Sequence, residues 1–336
     1  MGYGSTSGED LRARAAYRAS TGTTFTHTSS MHSTAHHLRK VHESLDPKRV
    51  NSVGEKIREC LDSDEHPLTV PVFVGFDETG SMGSGPRIIQ EKLGLLKGLT
   101  LRAGMPDVQL AFGAYGDAQN NEVAPCQVGQ FESGIEMEEW LNNLYLEGNG
   151  GGNGGETAGL LLYFLANFSR LDSLNKRGKK GYIFLTGDEI ALTVTRAEIK
   201  TYLDEDVEAD ISMEEVIRQV TESYDVYFFL VQNGAAKSQG SEAFWSNLLG
   251  TDHVIPVENL ENISELIAGL LAVQEGVVTS ADTLGDMLHS EGSDSTAVEL
   301  VKNVVATRIG GSSTVVKTAS AGKLSASAGS ATAETI

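Results

Sequence analysis

The sequence is poor in cysteine, poor in positive charge and without a long hydrophobic run, and each shortage closes off a class of protein. Two cysteines in 336 residues, Cys60 and Cys126, are too few for a disulfide framework or a four-sulfur zinc site, so a reducing compartment is expected. Lysine and arginine number 26 against 46 aspartates and glutamates, a formal net charge of −20. A protein that neutralises phosphates needs basic surface, which argues against nucleic acid as a partner and against an anionic membrane. The most apolar stretch, around 158–168, is too short to span a bilayer and reads as a buried helix. The N-terminus, MGYGSTSGEDLRARAAYR, lacks the apolar segment and cleavage site of a secretory signal. Gly2 with Thr6 fits the myristoylation pattern, but that pattern is common by chance. Cytoplasmic is the default expectation.

What is present is an ordinary globular composition, 40% hydrophobic and 21% charged, with chain enough for one large domain or two modest ones. Residues 1–66 read as an N-terminal extension, His-rich and partly helical; Val50, Val53, Ile57 and Leu61 recur as one apolar helical stripe. Its acidic and basic residues balance, so the excess negative charge lies downstream. Residues 67–276 alternate strand-like runs (70–77, 108–115, 181–186, 225–231, 253–257) with helical ones (86–101, 135–146, 156–171, 196–203, 213–223, 242–249, 263–274). Runs such as VFVGF and YIFL are apolar on both faces, as strands covered by helices on both sides must be. The predicted fold is α/β: a doubly wound, mostly parallel sheet with helices on both faces. Residues 277–336 add a helix near 297–306 and a low-complexity Ser/Ala/Thr/Gly tail, expected to be flexible or ordered by a partner.

In open α/β sheets ligands bind beyond the carboxyl ends of the strands. The first strand there breaks into Asp77-Glu78-Thr79-Gly80-Ser81, the second into Gly116-Asp117, and the third into Gly187-Asp188-Glu189. A glycine-rich loop, Gly148 to Gly155 followed by Glu156 and Thr157, opens a helix nearby. This oxygen-only set suits a hard cation. Magnesium demands an octahedron of oxygens and keeps several waters. Thr79 and Ser81 offer neutral hydroxyls, and Asp77 and Asp188 offer charge, in part through water. Neutral ligands leave the metal electrophilic, so a carboxylate from another protein can complete it.

These residues resemble a family. Asp77-Glu78-Thr79-Gly80-Ser81 is similar to the D-x-[ST]-x-S motif of von Willebrand factor A-type (vWA, Rossmann-like) domains, and residues 70–274 follow their β/α order. In that family the motif, a threonine-bearing loop and a later aspartate form a metal-ion-dependent adhesion site (MIDAS), usually holding Mg2+. The resemblance implies Asp77, Thr79, Ser81 and Asp188 as ligands of Mg2+, with Mn2+ or Ca2+ as substitutes. The glycine-rich loop resembles the GGG-[DN]-xx-E variant of intracellular members, which points to Asn153 as the third-loop ligand, with Thr157 as its rival. Phe112 to Asp117 is similar to the second strand of those members. Two departures stand out: Thr79 replaces the usual serine, and the later aspartate comes as TGD, not the more frequent TDG.

Other readings compete. An apolar strand ending in Asp suggests a dehalogenase-type phosphatase, but its proton-handling Asp at i+2 is here Thr79. Asp77 and Ser81 could merely cap the following helix, which leaves Asp117 and Asp188 unexplained. His32 and His36 share a helical face, yet no cysteine and a single acid, Glu43, lie near to complete a zinc site. The expected function is a non-enzymatic, metal-dependent protein-binding module whose partner supplies an Asp or Glu, with self-association the other interaction considered. The alternatives are a structural subunit of a multiprotein particle, or an adaptor for a partner ATPase.

Overall fold

The computed structural model describes residues 4–25, 41–80, 82, 85–120, 122–147 and 154–306. Ser81, Asn153, His32, His36 and the tail from 307 lie outside the described residues.

A six-stranded sheet forms the centre, in the order β4-β3-β2-β6-β7-β8. Its strands are β2 (Val70–Asp77), β3 (Val108–Tyr115), β4 (Cys126–Val128), β6 (Gly181–Gly187), β7 (Tyr224–Val231) and β8 (Val254–Val257). All neighbours run parallel except β3 and β4. The expected α/β class, the largely parallel sheet and its two-sided winding are what the structure contains. Successive residues of a strand point to opposite faces, and the two faces bury separate cores. Val72, Val74 and Phe76 join Phe112, Phe184 and Phe229 on one side. Phe73 joins Ile183, Leu185 and Phe228 on the other.

The first core is covered by α1 (Gly8–Thr21), α2 (Gly85–Arg102), α3 (Glu136–Asn142) and, later in the chain, Ile263–Gln274, Ala281–Ser290 and Ser295–Ala306. The second is covered by α4 (Ala158–Asn167), Met213–Val220 and Ser241–Leu249. Helices therefore lie on both faces, as a parallel sheet requires. Its two edges are blunted. The Val128 N–H of β4 donates to Leu45 O and its carbonyl accepts from Arg58 Nε, while β8 carries Pro256.

Two local expectations fail for identifiable reasons. The Val50–Val53–Ile57–Leu61 stripe is not helical: Asn51 Oδ1 accepts from the N–H groups of Val53 and Glu55, and Gly54 sits at φ +82°. A side-chain turn of this kind competes with helix. Val50 and Val53 end up exposed, and Arg58–Cys60 forms β1. The helix expected over 156–171 stops at Asn167, because Ser169–Leu171 (β5) pairs in parallel with β1. Conversely, α1 was not anticipated. Ser7 caps it in a reciprocal box with Asp10, and Arg14 and Arg18 anchor it to the buried Glu138 of α3.

Candidate metal centre

The sheet brings Asp77 and Asp188 to one crevice. Phe76 of β2 is in register with Thr186 of β6, and Asp77 with Tyr115 of β3, so Asp77, the last residue of β2, and Asp188, the first beyond β6, stand at adjacent strand ends. This is where the strand order reverses direction, the usual ligand crevice of an open α/β sheet. Asp77 Oδ1 accepts from the Thr79 N–H at 2.9 Å and from the Thr79 hydroxyl at 2.6 Å. Its other oxygen, Oδ2, is buried with no hydrogen-bond partner. Asp188 has the same asymmetry: Oδ2 accepts from Asn233 Nδ2, while Oδ1 is buried and unpartnered. Burial is the main cause that pushes the Asp77 carboxyl up to about 8, and the charges of Asp188 and Glu189 add to it.

The TGD order also has a cause. A methyl group on Gly187 would stand 2.4 Å from the Tyr115 hydroxyl and 3.5 Å from Asp77 Oδ2. The glycine makes room for Tyr115, whose hydroxyl donates to the Thr186 carbonyl at 2.8 Å. The aspartate therefore follows one residue later.

Thr157 lies beyond the glycine-rich loop and before α4. Its hydroxyl donates to Gly116 O at 2.7 Å and accepts from the Ala118 N–H at 3.1 Å, tying that loop to the exit of β3. Thus Asp77, Thr79 and Asp188 surround the β2–β6 crevice, Thr157 serves the adjoining β3 exit, and Ser81 and Asn153 fall outside the described residues.

Several residues were missed in the sequence. Asn233 caps the short helix Gly234–Gln239 with its carbonyl oxygen, while its amide holds Asp188. Glu156 lies in the glycine-rich motif, but its side chain was given no role. Burial above all, then Asp77, Asp117 and Glu189, pushes its carboxyl up to about 10, and its Oε2 is buried and unpartnered. Beside the crevice, Glu78, Glu122 and Glu147 form a second buried group of acids with one oxygen of each within 4.8 Å of the others. No periodicity could have revealed it, because its members come from three separate connections.

An unpaired carboxylate is expensive inside a protein. The charged groups that act most on Asp77 are themselves acidic, so its orphaned oxygen and that of Asp188 face like charge. A hard divalent cation would relieve both, and the donor set, carboxylate and hydroxyl oxygen with no thiolate or imidazole, is the kind that Mg2+, Mn2+ or Ca2+ takes.

No protein-family model matches the chain, and no curated protein does. Solved structures of similar topology do. The pilus adhesin SpaC of Lactobacillus rhamnosus GG, in its open conformation, aligns with 67% of this chain at 10% identity and a TM-score of 0.43, and this chain spans 31% of its length. The vWF domain of the type V pilus tip protein Mfa5 from Porphyromonas gingivalis aligns with 63% of this chain and 97% of its own, at 11% identity and a TM-score of 0.39. The PilB minor pilin of Streptococcus sanguinis aligns over 61% of both chains at 12% identity and a TM-score of 0.41. The likeness concerns the fold, a distant vWA-like arrangement. The similar proteins are adhesins and pilins. They overturn the cytoplasmic expectation, and with it the intracellular type of vWA domain: the similar structures are pilus proteins, and that placement is withdrawn. No helix among the described residues is long and apolar enough to cross a membrane.

Proposed function

We propose that the chain is a non-enzymatic subunit of a protein assembly, docking through a divalent cation held where β2 and β6 end. The observation that carries this reading is the pair of buried, unpartnered carboxylate oxygens, Asp77 Oδ2 and Asp188 Oδ1, in a crevice whose strongest charges are negative. Asp77, Thr79, Ser81 and Asp188 would hold Mg2+, with Mn2+ or Ca2+ as substitutes, and Asn153 or Thr157 would complete the protein's share. A partner's Asp or Glu fills the open position, since a metal with few charged ligands remains a good acceptor for a further carboxylate. Calorimetric titration with Mg2+, wild type against Asp77→Ala, tests the site. Binding heat in the wild type that is absent from the variant is expected; equal heats from both overturn it.

One observation favours a second reading, in which the sheet is scaffold alone. The Thr79 hydroxyl already donates to Asp77, as a turn would have it, and the Thr157 hydroxyl is engaged locally. Under that reading the same partners co-purify with and without chelator. Under the cation reading they are lost in chelator.

A further inference from the structure

We propose that Glu78, Glu122 and Glu147 hold a second divalent cation, of the calcium class, beside the β2–β6 crevice and independent of it. The three acids arrive from different connections. Glu78 directly follows β2, Glu122 lies between β3 and β4, and Glu147 lies beyond α3, just before the glycine-rich segment. Two oxygens bound to one Ca2+ at about 2.4 Å each can be at most about 4.8 Å apart. One oxygen of every member lies within 4.8 Å of the others, so each pair meets this limit, and a small inward turn of the side chains brings all three onto one ion.

Uncharged donors anchor each carboxylate by one oxygen. Glu78 Oε2 accepts from Gln127 Nε2 at 3.2 Å and the Glu147 N–H at 3.3 Å. Glu122 Oε2 accepts from the Asp117 N–H, and Glu147 Oε2 from the N–H groups of Val123 and Ala124. The remaining oxygens of Glu78 and Glu122, both Oε1, are buried without a partner. Glu78 is 0% exposed, and its free oxygen faces the Glu122 carboxylate across Gly116. A methyl group there would stand 3.4 Å from Glu78 Oε1 and 1.9 Å from Glu122 Oε2. After burial, the largest influence on Glu78 is the charge of Glu122, with Glu147 adding to it.

Orienting partners behind a set of open oxygens is how proteins prepare metal ligands. Three carboxylates without a hydroxyl suit calcium, which takes charged oxygens in an irregular shell, better than magnesium, which keeps its waters. A cavity of about 330 Å3 reaches this corner: Val123 and Ala124, which anchor Glu147, line it, as does Tyr202, whose hydroxyl donates to Glu122 O. The three acids themselves do not line it. Once bound, the ion would fasten together the connections that follow β2, β3 and α3.

Equilibrium dialysis of the full chain against Ca2+, read by elemental analysis, tests this for wild type, Asp77→Asn and Glu122→Gln/Glu147→Gln. The expected contents are two ions, one and one. A glutamate variant that keeps the wild-type content, or an Asp77→Asn variant that binds none, overturns the second site. A wild type with one ion, kept by Asp77→Asn and lost by the glutamate pair, supports it and sinks the crevice reading instead. Because the glutamate pair could fail to fold, the melting temperature of Asp77→Asn is also taken with Ca2+ and with chelator. A rise of several degrees in Ca2+ is expected, since a ligand bound only to the folded state stabilises it; no rise overturns the proposal.

Discussion

Acids are treated in opposite ways at the two ends of the sheet. Where the strands begin, they have cations or donors beside them. Asp62 accepts from Arg177 at 2.6 Å and from the Thr69 hydroxyl at 2.8 Å, Glu275 meets Lys179 and the Tyr182 hydroxyl, and Asp107 lies against His66. On the flank, the buried Glu138 holds both Arg14 and Arg18. Where the strands end, Asp77, Glu78, Glu156 and Asp188 are more deeply buried than Asp62, Asp107 or Glu275, and each keeps an oxygen without a partner. Burial opposes charge at both ends. At Asp62 the hydrogen bonds from Arg177 and Thr69 outweigh it and hold the carboxyl down near 2; at Asp77 nothing does, and the carboxyl rises to about 8. The first arrangement serves folding, and the second leaves negative charge for something that is not part of the chain.

Substitutions at the two ends should therefore move stability in opposite directions. The largest loss is expected from Glu138→Ala. It strands two arginines and frees α1, costing about 3 kcal/mol in urea denaturation. Next comes Arg177→Ala, at about 2 kcal/mol near neutral pH. Asp62 has a folded value near 2 against 3.8 for the free group. Its stabilisation is complete above the higher value and is lost as pH falls from there through the lower one. The gap between Arg177→Ala and wild type should narrow over that same acid window to the part owed to the Arg177–Thr69 carbonyl hydrogen bond, and a gap unchanged below it would break the assignment. The smallest effect has the opposite sign. In chelator and above about pH 8, where Asp77 is ionised, Asp77→Asn should stabilise the protein by about 1 kcal/mol, because it removes a buried charge facing Asp188. With Mg2+ present the order reverses, and a variant less stable than wild type under both conditions would erase the contrast between the two ends.

The parts of this molecule that a reader of the sequence could see were the parts encoded locally. VFVGF and YIFL announce strands covered on both sides, and an acid directly after such a run marks the crevice, which is how Asp77 and Asp188 stood out. Asn51 and Gly54 could have been read as a turn, and the hydrophobic spacing of Val50, Val53 and Ile57 hid them. Asn233 and Glu156 carry no local signal for what they face; parallel pairing of distant strands brings them there. Glu122 and Glu147 are less legible still. Glu122 precedes β4, a three-residue antiparallel strand that no period of hydrophobicity reveals, Glu147 follows α3, and both meet Glu78 through loops.

The blunted margins of the sheet have a consequence for any higher-order structure. Leu45 and Arg58 occupy the peptide groups at Val128, and Pro256 removes a donor from the opposite border. Among the described residues, these borders disfavour lengthening the six-stranded sheet by edge-to-edge pairing of copies, which shifts the burden of joining a filament or particle onto side chains, loops or helices.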